Sequence, residues 1–192
     1  MMPGGNRIMK HTWSWLTAVL MAGHGGWLHA ETVAGIDFPS APAGFELRSV
    51  IDNEKSNPGL GVTLLYNAPG VKASVFVYDD SQPSIPDGVA GAAVRDQFTT
   101  AIGNVKQFYP DAQSLARETK VTIAGIPLLY TAFTYTEVQP GNRETAMSHL
   151  YLTAYKGSFI KVRVTYSGVD RPDLGYRTQV NFVEALFGAI AD

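Results

Sequence analysis

The chain has 192 residues, of which 15 are basic and 17 acidic, and it contains no cysteine. The absence of cysteine excludes disulfides, thiol redox chemistry and thiolate metal sites. The net charge of −2, without any basic block, argues against nucleic acid as a partner.

The first 30 residues have the three parts of a secretory signal peptide. Arg7 and Lys10 make the start basic, an apolar run spans 13–21, and Ala30 is a small residue at the expected cleavage point. The run is shorter than the ~20 apolar residues that a bilayer span needs. We therefore predict a cleaved leader, no membrane span in the mature chain, and a periplasmic or secreted protein of Gram-negative-type export.

Residues 31–192 are predicted to form one domain. Without the leader, 13 basic and 17 acidic residues remain, so the net charge becomes −4, and His149 is the only histidine left. A chain of this length buries a sufficient core without disulfide staples.

Strand and helix signals alternate along this domain. Strands are predicted at Val33–Phe38, Phe45–Ile51, Gly61–Asn67, Lys72–Tyr78, Leu115–Ile123, Leu128–Thr136, Ala146–Tyr155 and Phe159–Tyr166. Apolar residues at helical spacing predict a helix over 88–108, with Asp87 as its N-cap, and a second helix capped by Asp173. The polar segment 137–145 is predicted to be a loop. This order indicates an α+β fold, an antiparallel sheet of about six to seven strands flanked by helices.

Several of these features together resemble a known fold family. They are Gly44-Phe45 at the first strand, the strand 73–79 before a long helix, the hairpin Tyr151–Val164 and the amphipathic C-terminal helix. In this combination the chain resembles the PsbP-like fold over roughly residues 36–190, a group that includes DcrB-like exported bacterial proteins. The resemblance implies an α/β/α sandwich and a non-enzymatic accessory or binding role, with no catalytic residues.

The late hairpin separates its side chains onto two faces. If Lys156-Gly157 is the turn, His149 opposes Val164 on an apolar face, because side chains alternate along a strand. We therefore expect His149 to lie beside the core. No G-x-S-x-G elbow presents a serine to it, so we predict no catalytic residue.

The opposite face of the hairpin carries Lys161 and Arg163, which are expected to face Leu152 and Leu150. One interpretation is that their aliphatic stems cover the sheet while the charges reach water. The other is that they bind an anionic ligand or an acidic partner.

Two loops supply the remaining candidate binding residues, because loops on a rigid scaffold often carry function. The candidates are Asp79, Asp80 and Asp87 in the first loop and Glu137, Arg143 and Glu144 in the second. The first loop lacks the ligand spacing of a calcium loop, and we predict no metal and no cofactor.

The function predicted from the sequence is that of an exported, non-enzymatic accessory domain that engages another protein in the cell envelope. An alternative is a small-molecule binding protein with an aromatic-lined pocket between sheet and helix. A third hypothesis is a hydrolase that uses His149.

Overall fold

The computed structural model describes residues 30–139, 141–168 and 172–191. The predicted signal peptide lies outside the described residues except for Ala30, so its cleavage stays a prediction. No helix in the described ranges is both long and apolar enough to cross a membrane.

The described residues form nine strands, one 3-10 turn (Pro42–Gly44) and two α-helices. The strands are β1 (Glu31–Val33), β2 (Ile36–Phe38), β3 (Glu46–Asp52), β4 (Val62–Ala68), β5 (Val71–Tyr78), β6 (Gln113–Ile123), β7 (Ile126–Gln139), β8 (Asn142–Tyr155) and β9 (Ser158–Ser167). The helices are α1 (Ala92–Phe108) and α2 (Pro172–Ala191). The segment predicted as one strand, Val33–Phe38, comprises the last residue of β1, the turn and β2 of the small β1–β2 hairpin.

Seven strands form one antiparallel sheet in the order β3-β4-β5-β9-β8-β7-β6. The predicted α+β class is confirmed. The β8–β9 register is also as predicted, with His149 opposite Val164, Leu152 opposite Lys161 and Leu150 opposite Arg163. The pairing of β5 with β9 at the centre joins the two halves of the chain.

Each face of the sheet packs against one helix. On one face, α2 buries an apolar stripe that consists of Phe182, Val183, Leu186, Phe187 and Ile190. On the other face, α1 packs on β8 and buries Val94, Phe98, Ala101, Ile102 and Val105. Helical spacing of apolar residues produces both stripes, as expected for amphipathic helices. The Lys161 and Arg163 face is therefore a second core and not an open sheet surface.

The start of α1 differs from its predicted position. The helix begins at Ala92 with Gly91 as N-cap, so the prediction that Asp87 caps it is wrong. The reason is a β-bridge, in which the Gly88 amide donates to the Ala154 carbonyl (2.8 Å) and the Ala154 amide donates in return (3.3 Å). A residue held in this bridge cannot take part in a helix.

The predicted loop 137–145 is for the most part strand. Glu137 pairs with Glu144 and Val138 pairs with Arg143, so β7 and β8 extend to the last residues before the turn. The polarity of this segment reflects an exposed ladder and not an irregular loop. Lys72 on β5 contributes an ion pair to Glu137 (3.4 Å).

His149 lies in the core on the α2 side, as predicted, with 4% of its surface exposed. Its Nδ1 lies 3.0 Å from the Tyr130 hydroxyl and its Nε2 lies 3.3 Å from the Tyr166 hydroxyl. A neutral imidazole has one donor and one acceptor nitrogen, and a tyrosine hydroxyl complements either one. Burial lowers the pKa of His149 to about 4.

The β3–β4 loop docks on the end of β5 through two glycines. The Glu54 carboxylate accepts hydrogen bonds from the amides of Gly59 (2.9 Å) and Gly61 (2.9 Å). Gly61 has a φ of +54°, and a Cβ there would overlap the carbonyl oxygen of Val77. Only glycine permits both this conformation and this approach.

We predict that His149 makes the protein less stable in mild acid. Its folded pKa of about 4 lies below the ordinary 6.5, so the unfolded chain binds more protons between these values and stability falls as pH falls through this window. The loss reaches on the order of 3 kcal/mol. Urea denaturation of wild type and His149→Phe between pH 4 and 7.5 measures it. Parallel pH profiles for the two proteins would contradict the prediction.

We predict that Gly61→Ala lowers the free energy of unfolding by about 3 kcal/mol, since it adds a steric overlap to left-handed strain. Gly70→Ala is the matched control, because Gly70 also has positive φ (+72°) but has open space around its Cβ position. We expect the control to cost about 1 kcal/mol. Equal losses in urea denaturation would show that the close approach to Val77 is unimportant.

Candidate functional site

A pocket of about 270 Å³ lies between α1 and the β4–β5–β9 part of the sheet. It exists because α1 packs on β8, and its apolar stripe covers side chains from β7, β8 and β9. The helix does not cover Thr63 on β4 and Phe76 on β5. These side chains lie beside the helix and form part of the floor of the pocket.

The walls come from elements that are far apart in the sequence. Helix α1 presents one stripe with spacing of three and four residues, namely Gln97, Thr100, Ala101 and Asn104. The floor consists of Thr63, Phe76, Tyr78 and Lys161, and the rim consists of Asn53, Leu60 and Asp80. The lining thus combines aromatic rings, neutral amides and hydroxyls, and two opposite charges.

Lys161 is the cation of this pocket. Its Nζ lies 4.2 Å from the ring centre of Phe76 and 5.5 Å from that of Tyr78, both within the range of a cation–π interaction. No carboxylate of the described residues lies within 4 Å of this ammonium. Burial, together with the charge of Arg163, lowers the pKa of Lys161 to about 8.

Asp80 is the anion at the rim, and a short chain of hydrogen bonds orients it. The Tyr78 hydroxyl donates to Gln97 Oε1 (3.0 Å), and Gln97 Nε2 donates to Asp80 Oδ2 (2.7 Å). Burial, with a smaller contribution from Asp80, raises the pKa of Tyr78, so its hydroxyl stays protonated. These two hydrogen bonds fix the orientation of the Gln97 side-chain amide, because its oxygen accepts from Tyr78 and its nitrogen donates to Asp80.

The backbone at this rim is strained. Asp80 and Ser81 have φ values of +53° and +56°, in the left-handed region that ordinary residues avoid. Two hydrogen bonds hold them there, one from the Asp80 amide to the Gly59 carbonyl (2.8 Å) and one from the Ser81 amide to the Asp79 carboxylate (2.8 Å). The Gln82 amide also donates to the Asp79 carbonyl (3.0 Å), so Asp80 and Ser81 form the centre of a tight turn.

Arg163 lies on the same face of β9 but does not line the pocket. Its Nε donates to Ser148 Oγ (2.8 Å) and its Nη2 donates to the Tyr135 hydroxyl (2.8 Å). Its guanidinium also lies 5.3 Å from the ring centre of Tyr109. Neutral oxygens and aromatic rings therefore satisfy this charge, and no described carboxylate pairs with it.

Of the eight candidates from the sequence, the structure brings Asp80 and Lys161 together. Asp79 supports the turn at the rim, whereas Asp87 is exposed and is not part of the pocket lining. Glu137, Arg143 and Glu144 lie along the β7–β8 ladder, away from the pocket.

The sequence did not reveal the α1 stripe or the two aromatic residues of the floor. Phe76 faces the same side as Lys161 because β5 pairs with β9, and these strands are 80 residues apart in the chain. The alternation of Phe76 and Tyr78 with small apolar residues was a visible signal. It did not indicate which face of the sheet they share.

No group of three or more histidine and acidic side chains that could hold a metal ion occurs in the part of the chain that the structure describes. His149 contacts tyrosine hydroxyls in the core on the other side of the sheet, so it does not contribute to the pocket.

No protein-family model matches the chain, and no curated protein matches it. Among solved structures, cyanobacterial PsbP (CyanoP) from Synechocystis sp. PCC 6803 is similar, with 17% identity, a TM-score of 0.44, and coverage of 86% of this chain and 96% of that one. A Pseudomonas aeruginosa protein of unknown function, PA94, is similar with 10% identity, a TM-score of 0.39, and coverage of 76% and 87%. Both likenesses concern the chain fold alone and indicate no function. The DcrB-like affiliation stays a prediction.

Proposed function

We propose that this protein binds a small molecule through a carboxylate group in the pocket between α1 and the sheet, without catalysing a reaction on it. The observation that carries the proposal is the Lys161 ammonium, which lines the pocket and has no described carboxylate within 4 Å. Catalysis is not proposed, because His149, the one histidine of residues 31–192, lies in the core.

An unpaired ammonium below the surface is unfavourable unless another charge compensates it. The rings of Phe76 and Tyr78 supply part of the compensation, about 1–2 kcal/mol for such a contact. The carboxylate of a bound ligand would supply the rest through a charge-assisted hydrogen bond. A bound carboxylate would therefore stabilise the Lys161 ammonium, which has no described carboxylate within 4 Å in the folded protein.

The remaining lining suits a molecule with one charged end. Leu60, Ala101 and Phe76 offer apolar surface, while Asn53, Thr100 and Asn104 offer neutral hydrogen-bonding groups. In small-molecule sites, a few polar groups fix the orientation of the ligand against apolar surface. A volume of about 270 Å³ limits the ligand to a small molecule.

The other functions predicted from the sequence have less support. The hypothesis that the protein docks to a partner in the cell envelope is based on the family resemblance and on the predicted leader. No contact among the described residues supports it further. Export to the periplasm or the medium also remains a prediction. A hydrolase that uses His149 is disfavoured by the 4% exposure of this side chain.

We expect 4-methylpentanoate to bind the wild-type protein with a Kd on the order of 1 mM or tighter, as measured by isothermal titration calorimetry at pH 7. Lys161→Met should weaken binding about tenfold or more, because it removes the counter-charge. Lys106→Met is the matched control, since Lys106 is exposed on α1 and does not line the pocket. Equal weakening by both variants, or no binding of the acid to wild type, would contradict the proposal.

We also expect a pH dependence with a defined sign. The pKa of Lys161 is about 8, so the affinity should be level below this pH and should fall by about tenfold per pH unit above it, where binding requires uptake of a proton. Lys161→Arg should abolish the fall, since a guanidinium keeps its proton. A fall in affinity that persists in Lys161→Arg would assign the titration to another group.

A further inference from the structure

Two opposite charges line the pocket without forming an ion pair with each other. Lys161 lies on the floor and Asp80 lies at the rim, and their charged groups are more than 4 Å apart. Lys161 contacts the Phe76 ring, whereas Asp80 is exposed and accepts a hydrogen bond from Gln97, so each charge has a separate position in the pocket.

From this arrangement we propose that the ligand is a zwitterion of the amino-acid class, with its carboxylate on Lys161 and its ammonium on Asp80. This inference rests on the proposed function and adds the second charge to the ligand. Lys161 and Asp80 would together determine which charged groups the ligand carries and which way it lies in the pocket.

The hydrogen bonds around Asp80 leave one carboxylate oxygen available. Gln97 donates to Oδ2, and no described residue donates to Oδ1. A carboxylate accepts several hydrogen bonds, and an ammonium offers three donors, so the two groups are complementary. Thr100 and Asn104 on α1 add neutral acceptors beside the same opening.

A tight turn fixes the position of this carboxylate. Asp80 and Ser81 are the two central residues of the turn, which a hydrogen bond from the Gln82 amide to the Asp79 carbonyl closes (3.0 Å). A second hydrogen-bond network, from Glu54 through Gly59, fixes the loop that receives the Asp80 amide. These hydrogen bonds thus hold the Asp80 side chain at a defined position at the mouth of the cavity.

The test compares three molecules with one carbon skeleton: leucine, 4-methylpentanoate, which lacks the ammonium, and 3-methylbutylamine, which lacks the carboxylate. Calorimetric titration at pH 7 should show leucine binding about fivefold tighter than the acid, the gain typical of a partly exposed ion pair. The amine should bind more weakly than either, because it leaves Lys161 without its counter-charge.

Asp80→Asn is the decisive variant, since asparagine has the same shape and tolerates the left-handed backbone. It should remove the advantage of leucine, whereas 4-methylpentanoate should bind no more weakly than to wild type, because the variant removes a negative charge from the rim. Asp96→Asn on the exposed side of α1 is the matched control and should preserve the advantage.

The outcomes separate the two proposals. Binding of the acid without any preference for leucine, or a preference that survives in Asp80→Asn, would overturn the zwitterion and leave the anion site standing. Failure of both leucine and the acid to bind the wild-type protein would overturn both. Loss of the preference in Asp80→Asn alone would support both.

Discussion

The register of the β8–β9 hairpin determines which side chains reach each helix. With Tyr155 opposite Ser158, His149 and Tyr151 face α2, and Leu150, Leu152 and Lys161 face α1. Because side chains alternate, a shift of one residue would exchange the two sets and would place charges beneath α2. Both faces are covered, so both sets contribute to the stability of this register. The burial of His149 in the core and the position of Lys161 in the pocket thus depend on the same turn, Lys156-Gly157.

The pocket exists because α1 covers only part of its face of the sheet. α1 has 17 residues and packs on β8, while the sheet continues beyond it through β5, β4 and β3. The uncovered strip is closed by the β3–β4 loop, which the Glu54 carboxylate braces internally and which accepts a hydrogen bond from the Asp80 amide, just after β5, at the Gly59 carbonyl. A loop braced by backbone hydrogen bonds provides a rigid rim for a site whose floor is β-sheet.

Much of the fold followed from the sequence, and the reason is physical. Alternation of period two and apolar spacing of three and four are local signals, so the element order and the β8–β9 pairing were predictable. The start of α1 was not, because the Gly88–Ala154 bridge is a contact between distant residues. The extension of β7 and β8 through Glu137 and Glu144 was hidden by polar residues that suit an exposed ladder equally well.

The candidate site was predictable only in pieces. Asp80 and Lys161 were each identified, one as a loop acid and one as a strand cation, but nothing local placed them in one cavity. Their proximity depends on the pairing of β5 with β9 and on the position of α1. Gln97 and Asn104 gave no signal of their own, since neutral amides on a helix most often face water.

The environment of Arg163 has a consequence for the electric field inside the domain. Its guanidinium donates hydrogen bonds to the hydroxyl groups of Ser148 and Tyr135, and no described carboxylate pairs with it. Hydroxyl dipoles carry no net charge, so the positive potential of this guanidinium extends over several ångströms in a medium of low dielectric constant. Arg163, whose charge adds to burial in making Lys161 a weaker base, therefore also contributes a positive potential to the neighbouring cavity.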